Sequence, residues 1–226
     1  MVRRAGAGGA QEARAALAHL CRDYWYPLYA YARRRGHSEH DAQDLTQSFI
    51  MEIIDGPLLG RADPERGRFR SFVLGALRNF LSHEHRREQT QRRGGLVEFI
   101  SMDAEHGEHR FALEPVDGVT PEDHFELNWA LALLDAVLAR LRAEYAAAGR
   151  GDFFAALQPY LAGKAGQPGY AELAARIGVS EATVAVSVHR MRRRYGELLR
   201  AEIASTVSSP EEVEEELAHL MEVVSR

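Results

Sequence analysis

At 226 residues, 46% of them hydrophobic, the chain is long enough for one or two domains with real cores. Its 33 acidic and 28 basic residues give a formal net charge of −5, so no global field draws it onto nucleic acid, and any such binding must come from local patches or from a partner that shares the work. The single cysteine, Cys21, excludes an internal disulfide and a cysteine-based zinc cluster and fits a reducing, cytoplasmic setting, and no apolar run is long enough to span a bilayer.

The first ten residues carry arginines without the apolar core of a signal peptide and are expected to form a frayed lead. From Ala13 to Arg35, Leu17, Leu20, Tyr24, Leu28 and Tyr31 recur at threes and fours, which predicts a helix, with Pro27 expected to break or kink it near Tyr26. Gly36-His37 is a turn. Ser38 then caps a helix from Glu39 to about Ile54, with Asp41 at the capping-box position. Its inner face is Ala42, Leu45, Phe49 and Ile53, and its outer face Gln43, Asp44, Gln47 and Thr46. Asp55-Gly56-Pro57 stops it, and an irregular basic loop follows from Gly60 to Arg68. Phe69 opens a long helix with Phe69, Phe72, Val73, Ala76, Leu77, Phe80 and Leu81 inside. Arg70, Ser71, Arg78, Asn79, Ser82 and His85 are expected outside, making one basic surface.

Residues 89–119 show no sustained period and read as a linker, too long for a structureless loop within one compact domain. Thr120-Pro121-Glu122-Asp123 starts another helix with a cap, a proline at its first position and acid in its first turn, reaching Tyr145 before Gly149 to Gly151 break it. Phe153 to Leu161 is a short helix. Tyr170 to Ile177 is the next, with Leu173, Ala174 and Ile177 on one face. Gly178 sits where the chain must leave right-handed space, and Ser180 can cap Thr183 while Val179 packs on Val184. The helix that follows has an apolar stripe of Val184, Val188, Met191, Tyr195 and Leu198. The other face bears Ala182, Val186, His189, Arg190 and Arg193, flanked by Arg192 and Arg194. This is the pattern of a helix-turn-helix whose second helix, from Ser180 to Arg194, reads the major groove. Ser209-Pro210 starts a last, acidic helix with Val213, Leu217, Leu220 and Val224 as its apolar seam.

Other chemistries find little footing. The pairs His37/His40, His83/His85 and His106/His109, and His40 beside Asp41 and Asp44, lack the spacing of a zinc protease site and read as surface histidines. No nucleophile elbow or phosphate-cradling glycine loop occurs. The expectation is no metal, no cofactor, no small-molecule substrate, no membrane, and no enzymatic activity.

Three stretches together carry a family resemblance. DAQDLTQSFI (Asp41 to Ile50) resembles the core-binding helix of bacterial extracytoplasmic-function (ECF) sigma factors, subunits that direct RNA polymerase to promoters. FRSFVLGALRNFLSHEHRR (Phe69 to Arg87) resembles their minus-ten region, and GYAELAARIGVSEATVAVSVHRMRRRYGELL resembles their minus-thirty-five domain. The resemblance implies an all-α fold of two small helical domains. A region-2-like bundle (13–88) and a region-4-like helix-turn-helix domain (120–203) are joined by the 89–119 linker and followed by an acidic extension (204–226). It implies that Asp41, Asp44 and Gln47 face the polymerase clamp. It implies that Arg61, Arg66, Arg68, Arg70, Arg78 and Asn79 touch a melted minus-ten element, which basic grooves and base pockets can hold. Ser180, Thr183, Val186, His189, Arg190 and Arg193 would meet the minus-thirty-five duplex.

The chain departs from the family pattern in two places. Ala185 and Ser187 stand where the recognition helix commonly has Lys and Arg, so promoter contacts are expected to be weaker or more apolar. Gln43 replaces an acid on the core-binding helix, a change on the order of 1 kcal/mol if exposed. A phosphate on Thr46 would add roughly −1.5 to −2 charge there. Thr46 phosphorylation is therefore an expectation, beside the plainer reading of Thr46 as a tolerated polar residue. Control by an anti-sigma factor, by a Ser/Thr kinase, or by the acidic tail folding back on Arg192 to Arg194 all fit the sequence. The rival reading is a stand-alone helix-turn-helix regulator that binds DNA without polymerase, usually as a dimer.

Overall fold

The computed structural model describes residues 24–55, 68–90, 104–114, 118–163, 167–207 and 209–226. Among these the protein is all-α, without strands. In chain order the helices are residues 24–34 (α1), Glu39–Asp55 (α2), Phe69–Thr90 (α3), Ala104–Leu113 (α4), Pro121–Ala147 (α5), Gly151–Leu157 (α6), Tyr170–Ile177 (α7), Glu181–Ala204 (α8) and Pro210–Ser225 (α9). A 3₁₀ turn, Gln158–Leu161, follows α6. The chain divides into two compact units, one of Met1–Ala132 with Ile203–Arg226 and one of Leu133–Glu202.

The first unit is built around α1. Tyr24, Tyr26, Leu28, Tyr29, Ala30, Tyr31 and Ala32 are all buried, so this helix is covered on nearly every side rather than along one stripe. Rings from two other helices meet it, and one pair stacks along α1 itself. Phe69 of α3 meets Tyr24 edge-on, Phe125 of α5 meets Tyr31 edge-on, and Trp25 stacks on Tyr29 within α1. Helix α1 runs unbroken from Tyr24 through Pro27, which is itself buried. The helix 13–23 that was expected to precede this segment lies outside the described residues.

α2 starts as its sequence predicts. The Asp41 N–H donates to Ser38 Oγ at 3.2 Å, which satisfies one of the orphan backbone donors at the helix start, and the Ser38 hydroxyl donates to Asp41 Oδ2 at 2.6 Å. Ala42, Leu45, Phe49 and Ile53 are buried as expected. In α3, Phe69, Val73, Leu77 and Leu81 form the buried stripe.

The expected linker contains a helix. α4 docks on α1 at Gly107, where a Cβ would stand 2.6 Å from the Trp25 ring, so glycine leaves room for the indole against α4. Glu108 receives a forked pair of hydrogen bonds from Arg33 at 3.0 and 2.7 Å, together with the Tyr29 hydroxyl. The Arg33 guanidinium holds the Glu108 carboxyl below its ordinary range. Glu114 receives Tyr26 at 2.6 Å and Arg34 at 3.1 Å, and both Arg33 and Arg34 lie over the Phe111 ring. A stretch with no visible period is held by ion pairs and one glycine contact instead of an apolar stripe. α5 is capped by Thr120, whose Oγ1 accepts the Asp123 N–H at 3.1 Å. The unit boundary falls inside α5, between Ala132 and Leu133, and not in the stretch before it.

α9 completes the first unit. Its buried residues are Glu216, Leu220 and Val223, whereas Val224 of the expected seam is exposed and Val213 and Leu217 are half-buried. The seam is rotated because a carboxylate, Glu216, has taken a buried position opposite two arginines.

The second unit encloses Val137, Leu141, Phe154, Leu157, Tyr160, Leu173, Val184, Val188, Met191 and Leu198. α7 ends as its sequence demands: Gly178 has φ 71° and ψ 33°, the left-handed conformation that glycine adopts without a Cβ penalty. Ser180 Oγ then accepts the Thr183 N–H at 3.1 Å and starts α8. Val184 is fully buried and Val179 half-buried.

Candidate functional site

Three exposed surfaces carry the residues singled out by sequence. On α2, Asp41 and Asp44 are exposed and Gln47 is half-buried, each about one turn after the last. Asp41 is partly committed to the Ser38 cap, whereas among the described residues Asp44 pairs only with His40, 3.6 Å away and itself exposed. Asp44 is therefore the least encumbered carboxylate of this face. Thr46 is not on it. Its side chain is 1% exposed, and its hydroxyl donates to the Ala42 carbonyl at 2.7 Å. The outward placement of Thr46 is corrected. With its one hydroxyl proton bonded and buried, Thr46 is out of reach of a modifying enzyme while α2 is packed.

On α3, Arg78 and Asn79 are exposed, and Arg78 makes only a loose 3.9 Å approach to Glu122. Ser71 and Ser82 are exposed on the same helix. Arg70, expected beside them, is buried. Its Nε donates to Glu216 Oε1 at 2.6 Å, its Nη1 donates to Glu126, and its guanidinium lies 5.3 Å from the Trp129 ring centroid. Arg68 is half-buried, with Nη2 3.1 Å from Glu215 Oε2 and Nε 2.9 Å from Glu216 Oε2. The outward position of Arg70 is thus also corrected: a buried guanidinium needs a carboxylate, and α9 supplies one. Arg61 and Arg66 lie outside the described residues.

On α8, Ser180, Thr183, Val186, His189, Arg190 and Arg193 are all exposed. Val186 is 49% exposed, an apolar side chain presented to solvent. Arg193 approaches Glu197 at 3.4 Å along the helix, and Arg190 makes no ion pair with another described residue. The flanking arginines do something else. Arg192 donates twice to the Tyr160 carbonyl, at 3.0 and 2.7 Å. Arg194 forms a forked pair with Glu144 at 2.9 and 2.7 Å, and that pair holds the Glu144 carboxyl below its usual range. Arg192 and Arg194, which the sequence places as flanking the outer face, are thus engaged within this unit, whereas Arg190 and Arg193 are exposed beside them. Arg194 lies only about 40° around the helix from Arg190, so periodicity alone does not separate the two, and the partner Glu144 does.

Among the described residues no group of three or more His, Cys, Asp or Glu side chains converges as a metal site. No helix among them is long and apolar enough to cross a membrane.

Residues 20–91 match the family model of sigma-70 region 2. Over this stretch the chain is similar to a sigma-70 region 2. The match runs from the segment of α1 through α2 to the end of α3, and so takes in both the acidic face of α2 and the basic face of α3. No curated protein and no solved structure gives a significant match. Region 2 is the part of a sigma factor that interacts with RNA polymerase core and promoter DNA, and its presence supports a sigma-factor role in promoter recognition. Sigma factors are initiation factors without a catalytic site of their own. Within region 2, the expected core-facing residues Asp41, Asp44 and Gln47 share one helix face. The expected minus-ten residues are divided: Arg78 and Asn79 are outward, while Arg68 and Arg70 are engaged by α9.

Proposed function

We propose that the protein is an ECF-type sigma factor that binds core RNA polymerase and directs it to promoters in the cytoplasm. The observation that carries this reading is the region-2 match over residues 20–91. In it, Asp44 with Asp41 and Gln47 meets a basic surface of the polymerase clamp. Arg78 and Asn79, with Arg61 and Arg66, meet the melted minus-ten strand, where phosphates position and extruded bases specify. The helix-turn-helix of the second unit meets the minus-thirty-five duplex through α8. Small or short side chains at Ser180 and Thr183 let the helix start approach base edges, Val186 can pack on a thymine methyl, and Arg190 and Arg193 reach phosphates or guanines. The net charge of −5 fits this division of labour, because polymerase supplies affinity while the subunit supplies selectivity.

Run-off transcription tests the reading. Core polymerase with the full chain should start at discrete sites on genomic fragments. Arg190→Ala should lower the product from those sites about tenfold, as loss of one phosphate or base contact of 1–3 kcal/mol does. Specific DNA binding by the protein alone, without any polymerase-dependent start, would instead mark a stand-alone helix-turn-helix regulator.

A further inference from the structure

We infer that α9 is a built-in acidic competitor for DNA: it occupies Arg68 and Arg70 of region 2 and must leave them before those residues can hold a promoter strand. This inference rests on the sigma-factor reading for what Arg68 and Arg70 would otherwise bind.

The geometry is that of a filled anion site. Glu215 and Glu216 present carboxylate oxygens to Arg68 at 3.1 and 2.9 Å, and Glu216 reaches Arg70 at 2.6 Å. One Glu216 oxygen makes no aligned hydrogen bond although it is buried, so Arg68 holds it by charge alone. That is a tolerable but not an optimal partner for a guanidinium, whose planar fork matches a phosphate as well as a carboxylate. His219 of the same helix closes the cluster through Glu126 at 2.8 Å, and Glu126 in turn touches Arg70. α9 is anchored beneath by Leu220 and Val223. The N–H of Phe69 donates to the Thr206 carbonyl at 3.4 Å, which ties the start of α3 to the turn that leads into α9. The sequence pattern agrees with the geometry. Glu211, Glu212, Glu214, Glu215 and Glu216 concentrate negative charge on the one helix that meets the two arginines, and the like charge of a nucleic acid strand is repelled from the surface α9 covers.

Occupation by an intramolecular carboxylate has a defined consequence. A strand of DNA can use Arg68 and Arg70 only by displacing Glu215 and Glu216, so the free chain binds single strands less tightly, and with fewer ion-releasing contacts, than its sequence allows. Polymerase binding or a cationic partner that takes up the α9 carboxylates would release the pair.

The test uses the full chain and a fluorescein-labelled 15-nucleotide oligo(dT), followed by anisotropy across a salt series. Glu215→Gln/Glu216→Gln should bind at least about fivefold tighter than wild type at low salt. The slope of log affinity against log salt should steepen by about 1.4, the contribution of two further phosphate contacts on a single strand. Adding Arg68→Ala and Arg70→Ala in that background should abolish both gains. Glu215→Gln alone touches a side chain that is 67% exposed, leaves the packing of α9 intact, and should show a smaller gain of the same sign. Unchanged affinity and slope in Glu215→Gln and in a folded double variant would overturn the inference. So would a gain that survives loss of both arginines. Binding of core polymerase, measured on the same preparations, reports separately on the sigma-factor reading: polymerase binding with unchanged oligo(dT) affinity removes the competitor and leaves the sigma factor.

Discussion

Single residues divide into those whose role is set by their neighbours in sequence and those set by the fold. Gly178 and Ser180 belong to the first kind: a left-handed turn and a helix cap are local events, so both were legible. Gly178→Ala should cost about 1–2 kcal/mol in chemical denaturation, the penalty of a Cβ in left-handed backbone. Thr46 belongs partly to the second. Its spacing from Ala42 and Phe49 puts it on the buried face of α2, but its polarity argues for solvent, and only the hydrogen bond to the Ala42 carbonyl reconciles the two. Thr46→Val should change stability by no more than about 1 kcal/mol. Thr46→Glu, often used to imitate a phosphate, should destabilise by about 3 kcal/mol or more, because it buries an unpaired charge. A urea titration of the two variants separates a buried threonine from a modifiable surface one. His124 is also buried, 3% exposed, with neither ring nitrogen hydrogen-bonded. Burial, and then the positive charge of Arg34, pushes it below the usual histidine value of 6.5, against the opposing pull of Glu114 and Asp123. The unfolded chain therefore takes up a proton as pH falls through about 6.5 while the folded chain resists. Stability from this group is full above that pH and is lost progressively below it. His124→Leu should flatten the fall in stability between pH 7 and pH 5 measured by denaturation at each pH.

At the scale of elements, helices with a local apolar period were foreseen nearly to the residue, and those fixed by distant partners were not. α7 spans the expected Tyr170 to Ile177, because its glycine stop and apolar face are all written within nine residues. α4 was read as linker. It lies on α1 through Gly107, Phe111 and carboxylates whose partners are Tyr29, Arg33 and Arg34, more than seventy residues earlier, and no window of sequence holds both halves of that contact. Gly107→Ala should lower stability by about 1–3 kcal/mol, since the new methyl must displace the Trp25 ring. A thermal melt that is unchanged would mean that α4 does not pack on α1 in solution. α9 shows the same limit. Its acidic, amphipathic character was plain, but the buried edge is set by Glu216 against Arg70, 146 residues apart, and a hydrophobic seam drawn from Val213 and Val224 could not include a carboxylate.

For the whole molecule, composition limited the possible functions more than it identified one. A net charge of −5 excluded indiscriminate nucleic-acid binding, and the order of three motifs raised the sigma-factor reading. The division between units was not legible, because α5 runs unbroken through it and carries Phe125 and Trp129 for one core and Val137 and Leu141 for the other. The candidate surfaces are legible to the extent that they are exposed on single helices, as Asp44, Arg78 and Arg190 are. They are hidden where the fold pairs them internally, as with Arg68 and Arg70. The central claim is that region 2 docks on polymerase through α2, and the most direct measurement is co-purification of the full chain with bacterial core RNA polymerase, wild type against Asp44→Arg. Asp44 is exposed and makes no cap, so the reversal leaves the fold intact. Wild type should form a stoichiometric complex, with binding lowered about tenfold or more by the reversal, a like-charge encounter with a basic clamp. Equal binding by both proteins would contradict the placement of the contact, and no binding by either would contradict the sigma factor itself.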